Sequence, residues 1–257
     1  MTARRDASRI LLACLLAALV SACAGQSVNR KKEAEARMQM GVTYLDQRNL
    51  PMAMRELTRA DELDPGNPEI EMMLGMTYRA RGDLGKAEEC LRKAIDHKPD
   101  YAEARNNLGT VLADQKRWDE AAREFEAAAG NVLYNTPERA YYNLAEVQRM
   151  RKEPARAEDA YRRALQANTR YAPAYLGLSF VLGERGKWEE AAAVLARCVQ
   201  LLPDYAPGWM ELGRVHIRLK RPDEAASDFN RVLAVSSDPE LRKQAAGYLV
   251  ILQGGKQ

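Results

Sequence analysis

A repeat of 34 residues constrains the fold of this 257-residue chain more than any other feature. Six units are in register, and they begin at Ala34, Pro68, Ala102, Glu138, Ala172 and Ala206. Every step between units is 34 residues, except the third, which is 36 residues. In each unit the eighth residue is small, the twentieth is alanine, and the twenty-fourth is bulky and apolar or aromatic. A chain of this kind buries its apolar surface by stacking each unit on the next.

The spacing within a unit predicts two antiparallel helices. Small residues at positions 8 and 20 let the two helices approach closely, and the bulky residue at position 24 fills the space between one helix pair and the next. Pro65, Pro99 and Pro203 cannot continue the second helix of their units and so set the turns. The composition agrees, because Ala, Leu, Glu and Arg are abundant and aromatic residues make up only 7% of the chain.

These patterns resemble the tetratricopeptide repeat family over residues 34–239. The resemblance implies an all-α fold, a right-handed superhelical solenoid of six repeats. The end of such a stack needs a cover. Residues 240–257 are predicted to form a capping helix and a tail, because four apolar residues there have helical spacing: Leu241, Ala245, Leu249 and Leu252.

Residues 1–22 have the pattern of a bacterial lipoprotein signal peptide. A positive start precedes an apolar stretch from Ile10 to Val20, which is too short to span a bilayer as a helix of about 20 residues. The stretch Val20-Ser21-Ala22-Cys23 resembles the lipobox, which implies cleavage before Cys23 and lipid attachment to it. Several acyl chains give stable anchoring. Ala24, rather than an inner-membrane retention aspartate, favours the periplasmic face of the outer membrane. An ordinary secretory signal is the alternative.

After this cleavage the chain is nearly neutral. Removing three arginines and one aspartate lowers the net charge from +3 to +1, which does not favour nucleic acid as a partner. Residues 23–33 are predicted to be a lipidated cysteine and a polar tether. We expect no enzyme activity, cofactor or metal site, because His97 and His216 lack credible partners and no phosphate-binding loop occurs.

The 36-residue step lies in the stretch GNVLYNTPERAYYNL. Gly130 is predicted to end a helix in the left-handed region, and Thr136 and Pro137 to start the next as N-cap and first residue. The two extra residues therefore lengthen a loop and leave the helices intact. A tolerated insertion would explain the length alone, because loop closure costs little extra for added residues.

The sequence of this step, together with the lipobox and the number of repeats, resembles the PilF, PilW and Tgl family of type IV pilus biogenesis lipoproteins. Seven residues carry the resemblance: Leu133, Tyr134, Pro137, Glu138, Tyr142, Asn143 and Leu144. It implies a pilotin, which helps the secretin, the outer-membrane channel for the pilus, to assemble. The chain departs from the family pattern at Asn135-Thr136 and at Ala145. The alternative function is an adaptor for another envelope machine, such as peptidoglycan synthesis or turnover.

The resemblance to tetratricopeptide repeats also implies a binding groove. The first helix of each unit lines the concave face through its positions 2, 5, 6, 9, 12 and 13. In the first two units we expect an apolar partner segment, from a secretin or another envelope protein, to contact Met38, Val42, Leu45, Met72, Met73 and Met76, because methionine adapts to varied partner shapes. Alternatively, some of these residues pack against the tether or a neighbouring helix. Asn107 and Asn143 are predicted to form hydrogen bonds with a peptide backbone, with Tyr142 in the same groove. The alternative is that each asparagine is simply a solvated polar residue.

Overall fold

The computed structural model describes residues 28–254, and the regular structure in this range is entirely helical. The thirteen helices are α1 (28–46), α2 (Leu50–Leu63), α3 (Pro68–Ala80), α4 (Leu84–His97), α5 (Ala102–Asp114), α6 (Trp118–Ala129), α7 (Pro137–Met150), α8 (Pro154–Ala167), α9 (Ala172–Glu184), α10 (Trp188–Leu201), α11 (Ala206–Arg218), α12 (Pro222–Val235) and α13 (Pro239–Gly254). The first twelve follow the six predicted units along the chain, two helices to each unit.

Close packing inside each pair follows the predicted register. All six alanines at position 20 are completely buried: Ala53, Ala87, Ala121, Ala157, Ala191 and Ala225. A Cβ added to Gly75, at position 8, would lie 2.7 Å from Cγ of Leu91, at position 24 of the same unit. Tyr161, also at position 24, lies against Gly177 of the following unit. The bulky residue therefore fills space within its own unit as well as between units.

Helix starts are fixed by side-chain caps and by proline. The Asn67 side chain accepts hydrogen bonds from the backbone N–H groups of the first turn of α3, and Pro137 is the first residue of α7, as predicted. The prediction that Gly130 is left-handed is wrong, because its φ is −77° and its N–H continues the helical pattern by donating to the carbonyl of Glu126 at 2.9 Å. Thr136 is the N-cap residue of α7, but its side chain makes no capping hydrogen bond.

The chain divides into two compact units, residues 28–111 and residues 112–254 in the described range. In the first unit, a core forms around Leu57, Ile70 and Leu74. In the second unit, α13 packs on the last helix pair, with Ala245 fully buried and the Tyr248 ring stacked on Phe229 at a centroid distance of 4.7 Å. The capping helix is therefore present where its apolar spacing predicted it.

The helical part of the chain starts before residue 34. Residues 28–33, which the sequence assigned to the tether, already belong to α1. Arg30 donates to the carbonyl of Glu62 at 3.1 Å, and Lys31 lies 3.9 Å from the carboxylate of Asp64. The first turn of α1 is therefore held by contacts with the last turn of α2 and with the residue that follows α2. Residues 1–27, including Cys23 and the proposed signal peptide, lie outside the described residues. Within residues 28–254, no helix has both the length and the apolar character to cross a membrane.

Candidate partner-binding groove

An open groove runs along the first helices of the fourth, fifth and sixth repeats. Its volume is about 860 Å³, which is in the range of ligand-binding clefts. It is lined by Tyr142, Glu146 and Arg149 from α7, by Pro173, Leu176, Gly177, Ser179, Phe180, Gly183 and Glu184 from α9, by Glu211, Arg214, Val215 and Arg218 from α11, and by Trp188 and Tyr205. All of these residues belong to the second compact unit.

The groove follows the repeat register. Tyr142 and Leu176 occupy position 5 of their units, and Glu146, Phe180 and Arg214 occupy position 9. Most other lining residues of α7, α9 and α11 fall at positions 2, 6, 12 and 13. The positions that the family resemblance assigned to a binding face therefore do line a groove in this unit.

The floor of the groove is α9, which is apolar around its whole circumference. Among its thirteen residues only Glu184 is charged. One side of α9 is buried, with Leu178, Val181 and Leu182 almost completely covered, while Phe180 on the groove side is 52% exposed. A helix that is apolar all round is normally buried on every side. The exposed side of α9 is therefore suited to contact with an apolar partner.

Two glycines of α9 let aromatic rings approach this floor closely. A Cβ at Gly183 would lie 2.6 Å from Cζ3 of Trp188, and a Cβ at Gly177 would collide with the ring of Tyr161. Because neither glycine has a side chain, Trp188 can lie directly against the helix backbone at the edge of the groove. Aromatic rings placed in this way offer a large contact area at low cost in side-chain entropy.

Charged residues form the two walls. On α7, Arg149 lies 3.5 Å from Glu146, and its guanidinium lies over the Phe180 ring at 4.7 Å from the centroid. On α11, Arg214 donates to Glu211 at 2.6 Å. The Nε of Arg214 is buried and has no hydrogen-bond partner among residues 28–254, although buried donors are normally paired. The groove therefore combines an apolar floor with polar, ion-paired sides.

A tyrosine cluster closes the α7 side. The Tyr161 hydroxyl donates to the Glu146 carboxylate, and the Tyr142 ring lies 5.8 Å from that of Tyr161 and 5.7 Å from that of Tyr171. Burial is the main cause that raises the pKa of Tyr161 and of Tyr142, so both phenols stay protonated at neutral pH. Glu146 is thus fixed from behind by a hydrogen bond while it lines the groove.

The structure corrects the prediction that Met72 lies on an exposed apolar face of the first two repeats. Met72 is only 6% exposed, and Met38 and Met73 pack against the core of the first unit. The alternative that the sequence left open, packing against a neighbouring helix, holds for these residues. Met72 is therefore a core residue, whereas Met38 and Met73 are partly buried, and their contact with a partner stays a prediction.

The remaining predicted groove residues divide between the two units. Val42, Leu45, Met76 and Asn107 are half-buried in residues 28–111, and their role stays a prediction. Tyr142 lines the groove of the second unit, whereas Asn143, also half-buried, is not among the lining residues. Sequence reasoning missed Phe180, Trp188 and the three arginines that line the groove. Phe180 and Arg214 would have been found if the list of groove positions had also been applied to the fifth and sixth repeats.

The arrangement is suited to binding. Among the described residues there is no group of three or more histidine, cysteine or acidic side chains placed to hold a metal ion. His97 and His216 each pair with a carboxylate, Glu71 at 2.8 Å and Asp228 at 2.6 Å, and neither lines the groove. An apolar floor with polar walls fits a polypeptide segment that has one apolar face.

Comparison with known families identifies the repeats. Residues 72–135 and 118–173 match one tetratricopeptide repeat family, and residues 182–245 match a second. Together these regions cover more than half of the chain.

Individual relatives are similar to parts of the chain or to its fold. The type IV pilus assembly protein PilF of Pseudomonas aeruginosa is 30% identical over 139 residues, which are 54% of this chain and 55% of the relative. In that alignment the chain spans about half the length of PilF. The solved structure of PilF from Pseudomonas aeruginosa matches with a TM-score of 0.70 at 24% identity. The match covers 85% of this chain and 99% of the PilF chain. The structure of PilW, described as a widely conserved type IV pilus biogenesis factor, has a TM-score of 0.68 at 22% identity and covers 82% and 97%. At these identities the structures show a common fold.

Proposed function

The chain belongs to the tetratricopeptide repeat family, and from that premise we propose that it is a protein-binding scaffold of type IV pilus biogenesis that acts as a pilotin for the secretin. The observation that carries the proposal is the exposed apolar floor of α9, in a chain similar to a pilus assembly protein. An apolar surface of this kind lowers solubility unless a partner covers it. We assign the chain no catalytic step.

The groove supplies the contact with the secretin subunit. Phe180 and Leu176 receive apolar side chains of the partner, and the Arg149–Glu146 and Arg214–Glu211 pairs on the walls set its orientation. Charged walls beside an apolar floor favour a segment with one apolar face and polar edges.

The lipid on Cys23 supplies the second half of the proposed mechanism. A cysteine that carries several acyl chains stays in its membrane, because each buried CH₂ group contributes roughly 0.8 kcal/mol. The scaffold would then hold a secretin subunit at the periplasmic face of the outer membrane. The sequence from Val20 to Cys23 supports this anchor.

The proposal is tested by the amount of secretin multimer in the outer membrane. A deletion strain should lose most multimers and its pili, and Phe180→Glu should do the same while the protein folds and fractionates normally. Val250→Glu is the matched control, because Val250 is 69% exposed and lies on α13, outside the groove. Cys23→Ser should release the protein from the membrane and mislocalise the secretin.

The alternative, a lipoprotein adaptor for another envelope machine, gives a different result in the same experiment. Normal secretin multimers in the deletion strain would contradict the pilotin role, and the adaptor role would then be the remaining proposal. Normal multimers in the Phe180→Glu strain alone would contradict only the assignment of the groove.

A further inference from the structure

Two of the charges that line the groove are not neutralised by the groove itself. Its charged lining residues are Glu146, Arg149, Glu184, Glu211, Arg214 and Arg218. Four of them form ion pairs within their own helices, at 3.5 Å on α7 and at 2.6 Å on α11. Glu184 and Arg218, in contrast, form no ion pair with any residue in the range 28–254. A negative and a positive charge therefore remain available to a bound partner.

These two charges lie at the same end of the groove. Glu184 and Arg218 occupy position 13 of successive repeats, and each is the last residue of its helix, α9 and α11. Trp188 connects the two helix ends, because it lies against α9 at Gly183 while the Arg218 guanidinium lies over its ring, 6.0 Å from the centroid. The groove thus ends in an aromatic ring with one charge of each sign beside it.

The stability of α9 does not account for Glu184. It is the only charged residue of this helix, and it stands at the carboxyl end, where the helix dipole disfavours a carboxylate. Arg218 has the favourable sign for the end of α11, and its contact with Trp188 holds the guanidinium in place. A guanidinium on an aromatic ring keeps N–H groups for a carboxylate of the partner.

The apolar floor lies next to these charges. Phe180 and Glu184 are four residues apart on α9, so they share one face of the helix, one turn from each other. We infer that this end of the groove binds a basic and an acidic side chain of the partner polypeptide, the basic one at Glu184 and the acidic one at Arg218, beside the apolar side chain that covers Phe180. Charges of opposite sign on two different helices also fix the direction in which the segment runs. This inference rests on the proposed function.

Charge reversal in the full chain tests the inference, with purified secretin subunit as the probe. Both side chains are exposed, so Glu184→Arg and Arg218→Glu should leave the melting temperature unchanged. Each variant should bind the secretin subunit about tenfold more weakly than the parent, because like charges then face each other. The double variant should remain as weak as either single variant. Recovery of the parent affinity in the double variant would overturn the inference, since the two groups would then act on each other and not on the partner.

The matched control is an ion pair of the same two repeats outside the groove. Arg221 donates to Glu189 at 2.9 Å, and neither residue lines the groove. Glu189→Arg and Arg221→Glu should leave the affinity for the secretin subunit unchanged. If they lowered it as much as the groove variants do, the effect would be one of general surface charge, and the inference would be overturned.

The salt dependence of association gives a second readout, which a purely structural role of the two residues would not change. Salt screens contacts between exposed charges, so the association rate of the parent should fall with ionic strength more steeply than that of a Glu184→Gln, Arg218→Gln double variant. Equal salt dependence would contradict the inference. Parent affinity in all groove-charge variants, beside lost affinity in Phe180→Glu, would overturn the inference alone. Absence of binding by the parent would overturn the proposed function with it.

Discussion

The two compact units use the same positions of their first helices in different ways. In residues 28–111, position 5 of the second repeat is Met72, which is 6% exposed, and position 9 is Met76, which is half-buried. In residues 112–254, position 5 of the fifth repeat is Leu176, which is half-buried, and position 9 is Phe180, which is 52% exposed. Position 5 is thus buried in one unit and half-buried in the other, and position 9 is half-buried in one and exposed in the other.

The difference teaches that a repeat register assigns a residue to one face of a helix but does not say what covers that face. Residue type does not show whether the face is covered, since methionine and phenylalanine are both ordinary core residues. The lack of charge over most of α9 is a better indicator of an exposed apolar face, because packing within the repeats requires only one apolar face of the helix. The following four experiments would break or sharpen this comparison.

The largest expected effect is on stability in the first unit. Met72→Glu should lower the free energy of unfolding by about 3–5 kcal/mol, because it buries a charge without a partner. Phe180→Glu in the second unit should change it by less than about 1 kcal/mol, the loss of the contact with Arg149 included. Denaturant titrations of both variants measure the difference.

Met72→Leu is the control for this first prediction, because it keeps the apolar volume and should cost less than about 1.5 kcal/mol. Equal stability of the Met72→Glu variant and the parent would mean that Met72 faces solvent. The contrast between the two units would then fail.

The second expected effect is the loss of stability when a buried alanine at position 20 is replaced by leucine, and it should be the same in both units. Ala87→Leu and Ala157→Leu should each cost roughly 1–3 kcal/mol, since both alanines are completely buried where two helices approach closely. Ala155→Leu, two residues away on the exposed side of α8, should cost little. A melting temperature of Ala157→Leu equal to that of Ala155→Leu would show that the repeat register is incorrect.

A third effect concerns the turn within each helix pair, which both units build with a left-handed residue. Lys152 has φ of 60°, whereas Gly186 serves the equivalent turn with φ of 72°. Lys152→Gly should raise stability by about 0.5–1 kcal/mol, because relief of the left-handed strain exceeds the entropy that glycine adds to the unfolded chain. Gly186→Lys should lower it similarly. Guanidinium unfolding of both variants checks the sign, and two effects of the same sign would be inconsistent with this reasoning.

The smallest effect depends on pH and belongs to the first unit. The pKa of His97 is raised, first by its hydrogen bond to the Glu71 carboxylate and then by the charge of that group. Its stabilising contribution is therefore fully present below pH about 6.5 and is lost as pH rises through the raised value. His97→Gln should lower stability at pH 5.5 and have little effect at pH 8.5. A difference that grows toward pH 8.5 would contradict the assigned sign.

Much of the fold was accessible from the sequence, and less of the site. The register placed the buried alanines at position 20, the first residue of α7 and the capping helix correctly, because each depends on local spacing. The same register named the positions that line the groove and identified Tyr142. It did not foresee that Met72 is buried, because burial of a side chain depends on helices that are distant in sequence.

The sequence by itself determined the type, number and order of the helices, since small and bulky residues at fixed spacing leave a helix pair only one close packing. Tertiary structure alone decided which of those helices keep an apolar face exposed. Phe180, at position 9 of its repeat, is 52% exposed, and Met72, at position 5 of its repeat, is buried, although both positions belong to the predicted binding face.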